Sequence, residues 1–168
     1  DVGGIVKNNY IEEHQIYERA SKWNLSHSDQ AGLDVVNITA DGIYFRIADK
    51  YKERIDDFDY YLSKCTHVWT HSYFVDQMEE IYQKFDNIVY IVRDPRDVAL
   101  SMSRFAFTPY VLSRQTHREK DPDSFLDNRL YGSTVAWVQH VGEYLMQREN
   151  LDIYFIFFER IKHDFVKE

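Results

Sequence analysis

Arg93 and Ser101 are the residues whose types and spacing most strongly predict a binding site in this chain. The apolar run Ile88–Val92 is typical of a buried strand and ends directly before Arg93. A helix is predicted at once, because Asp94 suits an N-cap and the proline after it suits the first helical position. An arginine beside a helix N-terminus, at the carboxyl end of a strand, favours an anionic ligand.

The run from Ile88 to Ser101 resembles the 3′-phosphate-binding motif of sulfotransferases that use 3′-phosphoadenosine 5′-phosphosulfate (PAPS). In that family a strand ends in Arg, a Pro follows two positions later, and a Ser stands eight positions after the Arg. The resemblance implies that Arg93 and Ser101 bind the 3′-phosphate. The alternative, from the residues alone, is a strand–helix junction in which Arg93 caps surface carboxylates and Ser101 bonds back to its own helix.

A second match lies upstream at Trp69-Thr70-His71, where the predicted strand Lys64–Thr70 ends. The family has Lys-Thr-His at the end of a strand, so Trp69 stands in place of the lysine. The resemblance implies that His71 is the general base, a task that a neutral imidazole suits. His67, which follows a Lys-Cys-Thr run, is the competing candidate. The pair also has the spacing of a metal site on a helix, an alternative that the residues leave open.

A third match, Tyr131-Gly132-Ser133 followed by Trp137, resembles a family region in which an aromatic residue contacts the adenine. The resemblance implies that Tyr131 contacts the adenine, with Trp137 as the weaker candidate. The alternative is that these aromatic residues belong to the core. The run Ile156–Lys162 is similar to the segment that follows the family's next core strand, and it supports the fold without nominating a site.

The apolar periodicities predict the elements that carry these residues. Their order along the chain is that of a parallel α/β sheet flanked by helices. The resemblance, clear over residues 64–165, implies one sulfotransferase-like domain over residues 1–168 with a P-loop nucleotide hydrolase-like fold, in an incomplete copy. The predicted helices are 9–23, 42–48, 74–85, 95–105 and 123–148, with a short closing helix, and the predicted strands are 64–70, 88–92 and 152–158.

Composition narrows the class of protein. The chain has 168 residues, of which 44% are hydrophobic, enough for a domain with a sizeable core. Its formal net charge of −8 argues against non-specific nucleic-acid binding. A single cysteine, Cys65, excludes an internal disulfide framework, and no run of eighteen apolar residues is present. We therefore expect a cytoplasmic protein without a membrane span.

Two family elements have no counterpart in the sequence. The loop that binds the 5′-phosphosulfate, typically Pro-Lys-Ser-Gly-Thr-Thr-Trp, belongs before residue 64, and Gly3-Gly4 with Lys7 is no match. The family's Arg-Lys-Gly segment would follow Glu168. Three explanations stay open: an excerpt of a longer enzyme, a remnant that binds nucleotide without catalysis, or a diverged N-terminal segment. We favour the first, because the chain begins with Asp1 and has no initiator Met.

The resemblance implies an enzyme that transfers a sulfuryl group from PAPS to an acceptor hydroxyl or amine, without a metal, leaving 3′-phosphoadenosine 5′-phosphate (PAP). The acceptor is expected to be a small molecule, a glycan or a peptide. The alternative from another class is a non-catalytic nucleotide-binding or interaction module on the same fold, which the absent loop favours. A nucleotide-dependent kinase would need a Gly-rich loop ending in Lys and Ser or Thr, and the sequence has none.

Overall fold

A computed structural model of the chain describes residue 10 and residues 35–47, 51–113 and 115–164. These residues combine helices and sheets, which confirms the predicted α/β class. Residues 1–78 and residues 79–168 form two compact units. The expectation of one domain over residues 1–168 stays a prediction. The predicted helix over residues 9–23 lies outside the described residues except for Tyr10.

The first unit contains a four-stranded sheet with the strand order β3-β2-β1-β4. The antiparallel pairs β1–β2 and β2–β3 make a meander, while β4 runs parallel to β1. In the register of that parallel pair, Val36 lies opposite Thr70, so the residue after β4 emerges beside the middle of β1. The strands are β1 (Val35–Thr39), β2 (Gly42–Ile47), β3 (Tyr51–Arg54) and β4 (Trp69–Thr70).

An aromatic cluster forms the core of this unit. The ring of Tyr10 makes edge-to-face contacts with Phe45 and Tyr61, at centroid distances of 5.6 and 4.9 Å. Tyr61 belongs to helix α1 (Phe58–Ser63), which begins after Asp57, whose side chain accepts a hydrogen bond from the backbone N–H of Tyr60. The cluster therefore packs α1 against the sheet.

The prediction of a helix over residues 42–48 is wrong, because residues 42–47 form β2. The turn before the strand explains the difference. Gly42 has a φ of 153°, a conformation that favours glycine, and it pairs with Thr39 across the two residues Ala40 and Asp41. An Asp-Gly pair between two apolar segments is a hairpin signal, and here it outweighs a weak helical period.

Two further elements are shorter than predicted. The strand expected over residues 64–70 is only β4, because the first two residues of that range donate backbone hydrogen bonds to the last turn of α1. The helix expected over residues 74–85 is only α2 (Met78–Tyr82). Short segments depend on tertiary contacts for their conformation more than on their own propensity.

The second unit confirms the remaining predicted elements. Two parallel strands, β5 and β6, pair in a register that places Ile88 opposite Ile153 and Val92 opposite Phe157. The long helix is continuous through Gly132. The elements of this second unit are β5 (Ile88–Val92), α3 (Pro95–Ala106), α4 (Pro109–Leu112), the long helix α5 (Pro122–Met146), β6 (Ile153–Phe157) and α6 (Phe158–Asp164).

Buried tyrosines connect β5 and α2 to the long helix α5 in the core of this unit. The hydroxyls of Tyr82 and Tyr144 lie 2.7 Å apart. The Tyr90 hydroxyl lies 2.7 Å from Nδ1 of His140. Burial raises the pKa of the Tyr144 phenol, and it raises the pKa of Tyr90 to about 12, with Tyr82 adding to the effect. These phenols therefore stay neutral at physiological pH and hold the strand that leads to Arg93.

Candidate functional site

The backbone of Arg93 is held by two distant elements. Strand β5 ends at Val92, so Arg93 emerges at its carboxyl end. The indole Nε1–H of Trp137, on α5, donates to the Arg93 carbonyl over 3.0 Å. The next backbone N–H, that of Asp94, donates to Oε1 of Glu159 over 2.8 Å. These bonds orient the junction between β5 and α3, because they fix the carbonyl and the N–H of the peptide group that joins Arg93 to Asp94.

The Arg93 side chain carries a charge that the described residues do not neutralise. Its guanidinium carbon lies 4.8 Å from the centre of the Phe158 ring, which makes a cation–π contact. Among the described residues it makes no ion pair, and its buried Nε has no hydrogen-bond partner. A half-buried guanidinium with an unpartnered Nε–H suits an anion, because an oxyanion supplies both charge and acceptors.

Arg96, three residues after Arg93, forms an ion pair within the helix cap. Asp94 is the N-cap of α3, and its carboxylate accepts a hydrogen bond from the backbone N–H of Arg96. The Arg96 guanidinium also binds this carboxylate, at 2.5 Å. The hydrogen bonds from the Arg96 side chain, followed by the bond from its backbone N–H, lower the pKa of the Asp94 carboxyl to about 2. Arg96 therefore forms an ion pair with the helix cap, whereas Arg93 has no ion-pair partner in the described part of the chain.

Ser101 and Tyr131 belong to the same unit as Arg93, on helices that pack against each other. Ser101 is exposed on α3, on the side away from the buried Ala99. Tyr131 is 83% exposed on α5. No hydrogen bond joins either residue to Arg93 in the described structure. Both side chains face solvent, where a ligand could reach them.

His71 belongs to the other unit, directly after β4. The backbone N–H of Ser72 donates to the Thr70 hydroxyl over 3.1 Å, and the Ser72 hydroxyl accepts from the N–H of Ile38 over 2.8 Å. The bond to Ile38 attaches the segment to β1 after His71, and the pairing of Thr70 with Val36 attaches it before His71. The imidazole Nε2 accepts a hydrogen bond from the Trp69 indole over 3.1 Å. His71 is thus an exposed imidazole on a fixed backbone.

His67, the competing candidate, lies in the irregular segment before β4. It is exposed, and its Nδ1 lies 3.2 Å from the hydroxyl of Thr66. Its contact is therefore with its neighbour in the chain, whereas His71 follows a paired strand. This difference favours His71 as the better-oriented imidazole.

Phe158 and Glu159 are site residues that sequence analysis missed. Both lie where β6 ends and α6 begins, at the same edge as Arg93, because β5 and β6 are parallel. The sequence carries a signal for them, since a second apolar strand followed at once by a helix predicts a second set of residues at that edge. The sequence does not show that β5 and β6 pair, so this signal alone could not place Phe158 and Glu159 beside Arg93.

The pH dependence of stability is expected to report the Asp94 cap. The pKa of Asp94 is lowered on folding, so its carboxylate stabilises the fold above about pH 4, and this contribution is lost as the pH falls towards about 2. The Asp94→Asn variant is expected to show a flatter decline of the urea midpoint over this range. Asp97→Asn, in the first turn of the same helix, serves as the control. Identical curves for wild type and Asp94→Asn would contradict the assignment.

The Trp137→Phe variant tests the hydrogen bond that fixes the backbone of Arg93. The variant keeps an aromatic ring and removes the N–H that binds the Arg93 carbonyl. We expect the free energy of unfolding to fall by about 1 kcal/mol, the net value of one hydrogen bond. Urea denaturation measures it, with Trp69→Phe as the matched control, because Trp69 is 47% exposed and donates to a side chain. An equal loss in both variants would argue against a special role for Trp137.

Comparison with known proteins gives a consistent assignment. A family model described as the sulfotransferase domain matches residues 6–168. An amine sulfotransferase from Oryctolagus cuniculus is 29% identical over 77 residues, a match that covers 46% of this chain and 25% of that protein. No solved structure matches the chain significantly. Because the family model spans nearly all of the sequence, the chain belongs to the sulfotransferase domain family.

Proposed function

We propose that this chain contributes to sulfuryl transfer from PAPS to an acceptor hydroxyl or amine. Membership of the sulfotransferase domain family supports the reaction class. The single observation that supports the donor is Arg93, whose guanidinium is held at the carboxyl end of β5 without an ion pair among the described residues. A fixed, unpaired arginine at that edge suits a phosphate.

The donor nucleotide would be held by three residues of the second unit. Arg93 would bind the 3′-phosphate through charge-assisted hydrogen bonds, and the exposed Ser101 hydroxyl would add a neutral donor. Tyr131, whose ring is 83% exposed, offers a face on which the adenine can stack. The recognition of a 3′-phosphate in this way would separate PAPS from ordinary adenine nucleotides.

His71 would act as the general base. Its imidazole would take the proton of the acceptor as the acceptor oxygen or nitrogen attacks sulfur, while the bond between sulfur and the phosphate oxygen breaks. The site then serves mainly to orient the two reactants and to stabilise charge. Among acceptors, the name of the rabbit relative, an amine sulfotransferase, favours an amine.

A second candidate function is a nucleotide-binding module without catalysis. The observation that favours it is the absence of the Pro-Lys-Ser-Gly-Thr-Thr-Trp motif from the sequence. That loop supplies backbone amides and a lysine to the 5′-phosphosulfate, so a chain without it would bind the nucleotide through its 3′-phosphate and adenine only.

Calorimetric titration with PAP, with 5′-AMP as the matched ligand, tests the proposal. We expect PAP to bind and 5′-AMP to bind at least tenfold more weakly, because the two differ in the 3′-phosphate, which makes hydrogen bonds to a charged group. Equal affinity for the two nucleotides would contradict a 3′-phosphate site at Arg93. Incubation with PAPS and a panel of primary amines and phenols then separates catalysis from binding alone.

The cytoplasmic location is part of this proposal. None of the helices in the described part of the chain is long and apolar enough to cross a membrane. Localisation of the tagged chain by fluorescence microscopy tests the compartment.

A further inference from the structure

Trp69 makes a contact that bears directly on the chemistry of His71. Residues two apart in an extended segment point to the same side, so the two side chains meet after β4. The ring centroids lie 5.9 Å apart, and the indole Nε1–H donates to the imidazole Nε2 over 3.1 Å. Trp69 is 47% exposed, and its indole is therefore not held by burial.

The direction of this hydrogen bond determines where the imidazole carries its proton. An indole nitrogen is a donor only, so Nε2 of His71 must be the acceptor. A neutral imidazole has one N–H and one lone pair, and its proton then lies on Nδ1. The lone pair on Nε2, with which neutral His71 would act as a base, is occupied by the indole.

The backbone around His71 is fixed by hydrogen bonds, so the Trp69 side chain is the part of this contact that can move. Thr70 is paired with Val36 of β1, and Ser72 is bonded to Ile38 and to Thr70. The segment on either side of His71 is therefore fixed, whereas rotation of the half-exposed indole needs no change in the sheet.

We propose that Trp69 is a positioning residue that selects the Nδ1–H tautomer of His71 and occupies Nε2 until an acceptor hydroxyl or amine takes its place. This inference rests on the proposed role of His71 as the base. After the exchange, the acceptor gives its proton to Nε2 as its oxygen or nitrogen bonds to sulfur, the sulfur–oxygen bond to the phosphate breaks, and His71 becomes an imidazolium.

Nitrogen-15 NMR of the imidazoles in the full chain tests the tautomer directly. The chain has seven histidines, and the His71 signals are those that vanish in His71→Gln. We expect wild-type His71 to carry its proton on Nδ1. In Trp69→Phe, which keeps a ring and removes the donor, we expect the proton to move towards Nε2, because the hydrogen bond that requires a lone pair on Nε2 is lost. The other six imidazoles are internal controls.

The reactivity of the lone pair gives a second measurement. Diethyl pyrocarbonate acylates a neutral imidazole at its free nitrogen, and mass spectrometry of peptides separates His71 from the other histidines. We expect His71 in Trp69→Phe to react about three- to tenfold faster than in wild type, the factor that corresponds to one net hydrogen bond. Trp137→Phe, the same substitution in the other unit, is expected to leave the His71 rate and signals unchanged.

Two results would overturn the inference: a wild-type His71 with its proton on Nε2, or the same tautomer in wild type and Trp69→Phe. Neither measurement needs a nucleotide or an acceptor. A chain that fails to bind PAP would therefore contradict the proposed function and leave the Trp69 contact standing. A tautomer that ignores Trp69 would contradict the contact and leave PAP binding at Arg93 untouched.

Discussion

The Arg93→Ala variant is expected to bind PAP about 10- to 100-fold more weakly than the wild type. A hydrogen bond to a charged partner contributes about 1.5–3 kcal/mol, and Arg93 has no ion pair among the described residues to compete for its charge. Calorimetric titration measures the change, and the difference should shrink as the salt concentration rises, because counter-ions screen the phosphate. Arg93→Lys is expected to be intermediate, since lysine keeps the charge and loses the planar fork.

Arg129→Ala is the matched control for this experiment. The Arg129 guanidinium carbon lies 4.7 Å from the centre of the Phe125 ring, much as that of Arg93 lies 4.8 Å from the ring of Phe158. Both substitutions remove one positive charge and one arginine–phenylalanine contact. Only Arg93 follows a strand at the sheet edge, so only its loss should weaken binding. Equal losses of affinity would indicate a general charge effect and contradict the assignment of Arg93.

The Tyr144→Ala variant is expected to lose about 3–5 kcal/mol of unfolding free energy, the usual cost of truncating a large buried aromatic residue. Tyr144 is 3% exposed. Its ring lies 4.7 Å from that of Tyr90 and 5.0 Å from that of His140, and its hydroxyl meets that of Tyr82. Removal of the side chain leaves a cavity between α5 and β5. Urea denaturation followed by circular dichroism measures the loss.

Two variants separate packing from hydrogen bonding in this core. Tyr144→Phe keeps the ring and removes the hydroxyl that meets Tyr82, so we expect a loss of about 1 kcal/mol. Tyr131→Ala, the same truncation at an 83% exposed position of the same helix, is expected to change stability by less than about 0.5 kcal/mol. A similar loss at residues 131 and 144 would contradict the packing of α5 against β5.

The junction between β5 and α3 was predictable because its signals are local. An apolar β-branched run predicted a buried strand over residues 88–92. The structure has that strand, but its predicted burial is wrong, because Val89 and Ile91 are 53% and 49% exposed. Asp94 caps the helix through its own side chain, and Pro95 fills the first helical position, as expected. Each of these preferences acts between residues close in sequence, so a single sequence is enough to recognise them.

The meander of β1, β2 and β3 could not be predicted in the same way. These strands have four to six residues, and β2 lies in a segment for which the sequence predicts a helix. A short strand is stabilised by its neighbours in the sheet rather than by its own propensity. The buried aromatic contacts of Tyr10 with Phe45 and Tyr61 join residues that are far apart in sequence, and no local pattern shows them.

The amino-acid sequence determined that Arg93 follows an apolar strand and precedes a capped helix, and that an imidazole follows another strand end. The tertiary structure decided what holds Arg93. Trp137 binds its carbonyl from 44 residues away, Glu159 binds the N–H of Asp94 from 65 residues away, and the Phe158 ring lies against its guanidinium. Capping and periodicity act over a few residues. These contacts form because β5 pairs with β6 and α3 packs against α5, and no ion pair within the described residues offsets the charge of Arg93 there.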